Sequence, residues 1–201
     1  MKKNLFALLV ALMGAMSVFT SCKEDDDDEI LNVPPDSIVV DGAKVLDLGD
    51  YSFNFPTDEN KEVPWNYFSD ERNKGNYGDI KFNMSEVYAK NDFAVVINFY
   101  EQIDEQTGKF TIGDLEDFLD KNIYCEDGRY NIEKNTNAKL GTAKAIKYKA
   151  TEKETGNYLE QYLVYIEKTK KILVVLVELP ADVKEQRFAE VQTILNSFKL
   201  K

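Results

Sequence analysis

Histidine is absent from this 201-residue chain, so any chemistry falls to carboxylates, thiols and aromatic rings. Without an imidazole there is no Ser–His–Asp triad, no Cys–His pair and no His-ligated zinc. The two cysteines, Cys22 and Cys125, make neither a four-thiolate metal site nor a disulfide framework. Asp and Glu total 36 against 25 Lys and Arg, a formal charge of -11, which argues against a broad nucleic-acid-binding face.

Three groups of residues are worth weighing. Asp114, Glu116, Asp117 and Asp120 could suggest a cation site, but their spacing scatters them around a helix and lacks the glycine and closing Glu of an EF-hand loop. They read as a solvated helix face. Cys125 follows an apolar helical stripe and reads as a small core residue. Its neighbours Glu126 and Asp127 would raise a thiol pKa, the wrong direction for a nucleophile. Trp65, Tyr67 and Phe68 sit beside Pro64 in a polar stretch that reads as loop. Such aromatics can stack on sugars, anchor a protein partner, or fold back as a lid over a sheet. No catalytic residue, metal ligand or cofactor motif is assigned, and the chain reads as a non-enzyme.

The N-terminus reads as an address. Lys2 and Lys3 precede an apolar run from Leu5 to Met13, followed by small and polar residues ending in Thr20-Ser21-Cys22. A basic start, an apolar middle and small residues make a secretory signal, and the run is too short for a convincing membrane span. Thr20-Ser21-Cys22 resembles the lipobox of bacterial lipoproteins, in its relaxed Bacteroidota form, with Phe19 in place of the usual aliphatic residue. The resemblance implies cleavage before Cys22 and a lipid on its sulfur. Each buried methylene contributes about 0.8 kcal/mol, so two or three chains would hold the protein on a membrane. Lys23, Glu24 and Asp25 resemble the export signal that sends such lipoproteins to the outer face of the outer membrane; the periplasmic face is the alternative. The run Glu24 to Glu29 is six consecutive acids, which repel one another and stay solvated. The expected organisation is a signal peptide over 1–21, a lipidated tether over 22–37 that spans roughly 50 Å, and one domain over 38–201.

From Ile30 onward the chain keeps 30 acids and 22 bases. Tyr51 to Phe55 alternates rings with polar residues, predicting a strand ended by Pro56. Residues 57–91 are polar and punctuated by Asn73, Gly75, Asn76 and Gly78, with a weak strand at Ile80 to Phe82. Phe93 to Tyr100 is nearly all apolar and predicts a strand covered on both faces. Thr111 and Asp114 form a capping-box pattern before the stripe Leu115, Phe118, Leu119 and Ile123. Strands are expected at Thr142–Ala150, Tyr158–Glu167 and Ile172–Leu179, joined by turns at Gly156 and Lys170. Pro180 is expected just inside a last helix carrying Val183, Phe188, Val191, Ile194, Leu195 and Phe198. The fold class is α+β, an antiparallel sheet flanked by helices.

This order is similar to the PsbP-like family. The similarity is carried by Phe53-Asn54-Phe55-Pro56 with Trp65, by Asp92 to Val96, by Thr111 to Leu119, by Gly141 to Ala150 and by Asn196-Ser197-Phe198. Trp65 comes later than the family pattern, and residues 57–91 depart from it most. The resemblance implies an α-β-α sandwich with an accessory, non-catalytic role on a larger protein assembly. The first functional expectation is therefore a surface lipoprotein whose domain binds another surface or envelope protein, with a flat surface and no deep pocket. A second is a glycan or small-molecule binding accessory to an uptake system, with a cleft lined by Trp65 and tyrosines. A third, lower, is a hydrolase with two carboxylates about 5 to 9.5 Å apart. The oligomeric state is left open.

Overall fold

A computed structural model describes residues 39–201, apart from 41–42, 58, 61–64, 90–94 and 126–128. The expected signal peptide, tether, Cys22 and the Lys23-Glu24-Asp25 signal lie outside the described residues. Eleven strands and two α-helices follow in order among the described residues. A small sheet holds β1 (Val39–Val40), β2 (Ala43–Asp47), β3 (Tyr51–Pro56) and, from the far end of the chain, β11 (Lys199–Leu200). The large sheet has seven strands in the order β4, β5, β6, β10, β9, β8, β7. Its strands are β4 (Trp65–Tyr77), β5 (Ile80–Ala89), β6 (Val96–Gln102), β7 (Tyr130–Leu140), β8 (Ala143–Glu152), β9 (Tyr158–Ile166) and β10 (Lys171–Leu179). Every recorded pairing is antiparallel. The fold is α+β, as the order of patterns predicts.

The large sheet is a middle layer because its central strands are apolar on both faces. On β10, Leu173, Val175, Val177 and Leu179 point one way and Ile172, Val174 and Leu176 the other, all buried. The first set joins a core with the aromatic face of β3 and with helix α2 (Lys184–Asn196). Within it the Phe53 ring lies 4.7 Å from Phe99 and 5.0 Å from Phe198. The opposite face is covered by helix α1 (Ile112–Asn122), which buries Leu115 and Leu119. Its N-terminus forms as the sequence predicts: the Asp114 amide donates to Thr111 Oγ1, and the Thr111 amide donates to Asp114 Oδ2.

Three expectations need correction. Residues 65–77 are not loop but the strand β4, and the weak strand expected at Ile80 to Phe82 extends to Ala89 as β5; the two form a long hairpin with a register shift between Ser69 and Lys74. Gly75 sits inside β4 where space is tight: a Cβ there would lie 3.1 Å from the Tyr100 ring. The strand β7 was not foreseen. Pro180 lies ahead of the last helix, not in it. Its carbonyl accepts from the amides of Val183 and Lys184, closing a turn before α2 begins.

Candidate functional site

Among the described residues an open groove lies between α2 and the edge of the large sheet. Period-two alternation on β8 turns Lys147, Lys149 and Thr151 to the α2 side. The register sets Glu133 and Asn131 of β7 beside Lys149 and Thr151, and sets Tyr158 and Glu160 of β9 on their other side. Over the β9 end, α2 lays the Phe188 ring edge-on to Tyr158, with centroids 5.8 Å apart, and places Lys184 Nζ 4.1 Å over the same ring. The result is a groove of about 600 Å³ along β7 and β8, walled by α2 and floored by Tyr158 and Phe188. It opens at the sheet edge, since β7 is the terminal strand.

Beneath the groove is a buried carboxylate. Glu160 is 1% exposed. Its Oε1 accepts from Tyr158 Oη at 2.5 Å and faces Lys147 Nζ at 2.8 Å. Its Oε2 accepts from Tyr162 Oη and Gln192 Nε2, each at 2.9 Å. Burial pushes the carboxyl pKa up, but the donors Lys147, Tyr158 and Gln192 and the Lys147 charge together hold it below the ordinary value. The phenols of Tyr158 and Tyr162 are pushed well up by burial and by the Glu160 carboxylate they serve. At neutral pH this cluster is therefore an ionised acid between protonated phenols. It fixes α2 and Tyr158 in place and has no spare lone pair directed at a substrate. Among the residues lining the groove Glu133 is the one carboxylate, so a two-carboxylate hydrolysis has no pair to work with there.

The other face of the sheet holds a set of tyrosine hydrogen bonds. Tyr124 Oη donates to Gln161 Oε1 at 2.6 Å, and Gln161 Nε2 donates to Tyr77 Oη at 3.3 Å. Tyr124 stacks on Tyr148, with ring centroids 4.8 Å apart, and Tyr148 Oη donates to Asp120 Oδ1 at 2.7 Å. The Lys134 ammonium lies 2.6 Å from both Asp120 and Glu116.

The sequence-predicted residues fall as follows. Trp65 is 5% exposed, its ring 5.8 Å from Phe55, and its Nε1 donates to Glu190 Oε1 at 2.8 Å. It is a core residue that links the start of β4 to α2, with no open face for a sugar. Tyr67 and Phe68 are strand residues of β4, opposite Val87 and Glu86, and their side chains lie outside the described residues. The acidic helix face is not simply solvated: Asp114 caps α1, while Glu116 and Asp120 hold Lys134 of β7. Among the described residues no group of three or more Cys, Asp or Glu is placed to hold a metal ion. Cys125 is half-buried just beyond α1 instead of lying in the core, because the helix ends at Asn122 and takes the apolar stripe with it. Sequence reasoning missed Lys149, Tyr158, Lys184 and Phe188. The available signal was a glutamate, Glu160, at an inward position of a strand whose neighbour carries inward lysines.

No protein-family model matches the chain, and no curated protein matches it. Several solved structures resemble it distantly, among them the following three. A protein from Bacteroides thetaiotaomicron VPI-5482 is 15% identical over 76% of this chain, with a TM-score of 0.39. The chain spans 45% of that protein's length. The cyanobacterial PsbP (CyanoP) of Synechocystis sp. PCC 6803 is 12% identical, covering 76% of this chain and 87% of that one, with a TM-score of 0.43. LpqN of Mycobacterium tuberculosis, described as involved in cell envelope biogenesis, is 10% identical, covering 77% and 86%, with a TM-score of 0.44.

Proposed function

We propose that the chain is a lipoprotein of the outer membrane, displayed at the cell surface, whose α+β domain binds another envelope or surface protein as an accessory module and does no chemistry of its own. One observation carries the anchoring half: a basic start, a short apolar run and Thr20-Ser21 stand directly ahead of Cys22, and Lys23, Glu24 and Asp25 directly follow it. The groove along β7 and β8 departs from the flat surface expected of a protein-binding module, but it is not the Trp65-lined cleft expected of a glycan binder. The acid beneath it, Glu160, is fully engaged by Lys147, Tyr158, Tyr162 and Gln192 and not poised for chemistry. The glycan alternative loses its expected platform, since Trp65 is buried.

Changing Cys22 to Ala should move the protein from the membrane to the soluble fraction after carbonate washing. A variant that stays in the membrane overturns the lipid anchor. Replacing Lys23, Glu24 and Asp25 with alanine should protect the protein from protease added to intact cells. Unchanged cleavage overturns surface export and leaves the anchor standing.

A further inference from the structure

We propose that the groove between β8 and α2 docks an acidic, extended peptide segment of the partner protein. This deepens the protein-binding reading above and rests on it. The groove inverts the sign of the chain around it. The whole chain carries -11, yet the lining holds two ammonium groups, Lys149 and Lys184, against the single carboxylate Glu133. That carboxylate is loosely held, 3.8 Å from Lys149 with its side chain 81% exposed. A better-placed acid displaces it at small cost, because exposed pairs contribute little. Lys184 rests on the Tyr158 ring and has no carboxylate partner among the described residues. A carboxylate in the groove therefore meets two cations that the fold itself leaves under-used.

Shape favours a peptide over a sugar. Sugar binding needs an open aromatic face, and the Tyr158 face is already covered by Lys184 and by the edge of Phe188. The apolar lining that remains, Phe188 and Ile132, suits aliphatic side chains. Asn131 and Thr151, paired across β7 and β8, offer neutral donors and acceptors to a peptide backbone. A volume of about 600 Å³ accommodates a few side chains. The groove opens at the terminal strand, so a segment within a longer chain can enter sideways without threading an end.

The test uses the full chain in detergent micelles and a fluorescein-labelled peptide of alternating Asp and Leu, read by fluorescence anisotropy. Saturable binding that weakens as salt rises is expected. Non-specific approach of an acidic peptide to a protein of charge -11 is repulsive and would improve with salt instead. The double variant K149E/K184E should lose about tenfold or more in affinity. The variant E133Q should gain roughly two- to threefold, a change that misfolding cannot produce. Unchanged affinity in a K149E/K184E protein with the parent circular dichroism overturns the proposal. So does saturable binding of polygalacturonate that depends on both lysines while the peptide fails to bind. A crosslinked partner protein whose capture ignores K149E/K184E also overturns the groove, while leaving the accessory role intact.

Discussion

The two faces of the large sheet are both buried, but they solve the same problem with different chemistry. Toward α2 and the small sheet the contacts are aliphatic and phenylalanine-rich, and one ionised acid, Glu160, takes four donors at the point where α2 crosses β9. Toward α1 the contacts are tyrosine-rich, and the hydroxyls of Tyr124 and Tyr148 tie the region after the helix, and the helix itself, to the sheet. Most charges there sit at the rim, where Lys134 meets Glu116 and Asp120, while Glu152, 6% exposed, is held by Arg129 and Thr155. A buried charge is costly to strand without partners, whereas a neutral hydroxyl that loses its partner costs about 1 kcal/mol. On the groove face the Glu160 cluster is therefore all-or-none, whereas the tyrosine contacts of the opposite face are graded.

This contrast can be broken in order of expected effect. Phe53→Ala empties a site with 0% exposure between Phe99 and Phe198. It should cost about 4 kcal/mol in denaturant unfolding. Glu160→Ala strands Lys147, two phenols and Gln192, and should cost about 3 kcal/mol. A loss under about 1 kcal/mol would mean that this face is as graded as the other. Acid sharpens the point. The folded pKa of Glu160 is held below its ordinary 4.5, so its contribution is present above that value and disappears as pH falls through the folded pKa. The acid limb of a stability–pH curve should accordingly be shallower in Glu160→Gln than in the parent. On the α1 face, Tyr148→Phe removes one hydroxyl from Asp120, which keeps Lys134, and should cost about 1.5 kcal/mol. Thr111→Ala removes the helix cap and should cost about 1 kcal/mol by thermal or chemical unfolding.

Much of the scaffold can be read directly from the residues. Tyr51 to Pro56, the Thr111 cap, the β8–β9 hairpin around Gly156 and the apolar β10 all formed where alternation, capping and turn residues placed them. These segments succeed because one local pattern determines each of them. The strand β4 was hidden because Gly75, which marks a close approach to Tyr100, looks like a turn from sequence; the turn itself falls at Gly78, where φ is +64°. The strand β7 was hidden because most of its residues are exposed, so no apolar alternation survives in Asn131 to Lys139. The groove was hidden for a third reason. Its residues come from β7, β8, β9 and α2, and only the strand order brings Asn131, Tyr158 and Lys184 to one place. The legible part is thus what single elements impose, and the illegible part is what their juxtaposition creates.

The closure of the small sheet sets an order of events. The outer edge of β3, at Tyr51 and Ser52, is paired by Leu200 and Lys199, and the Asn54 amide donates to Ser197 Oγ. Phe198 completes the ring cluster around Phe53. A ribosome delivers β3 early, yet its last neighbour only when residue 200 has been made. During that whole interval the aromatic face of β3 lacks its final cover, so this half of the core can lock only after translation has passed it. Contacts this distant in sequence also slow folding. Until then the nascent chain stays open on the β3 side.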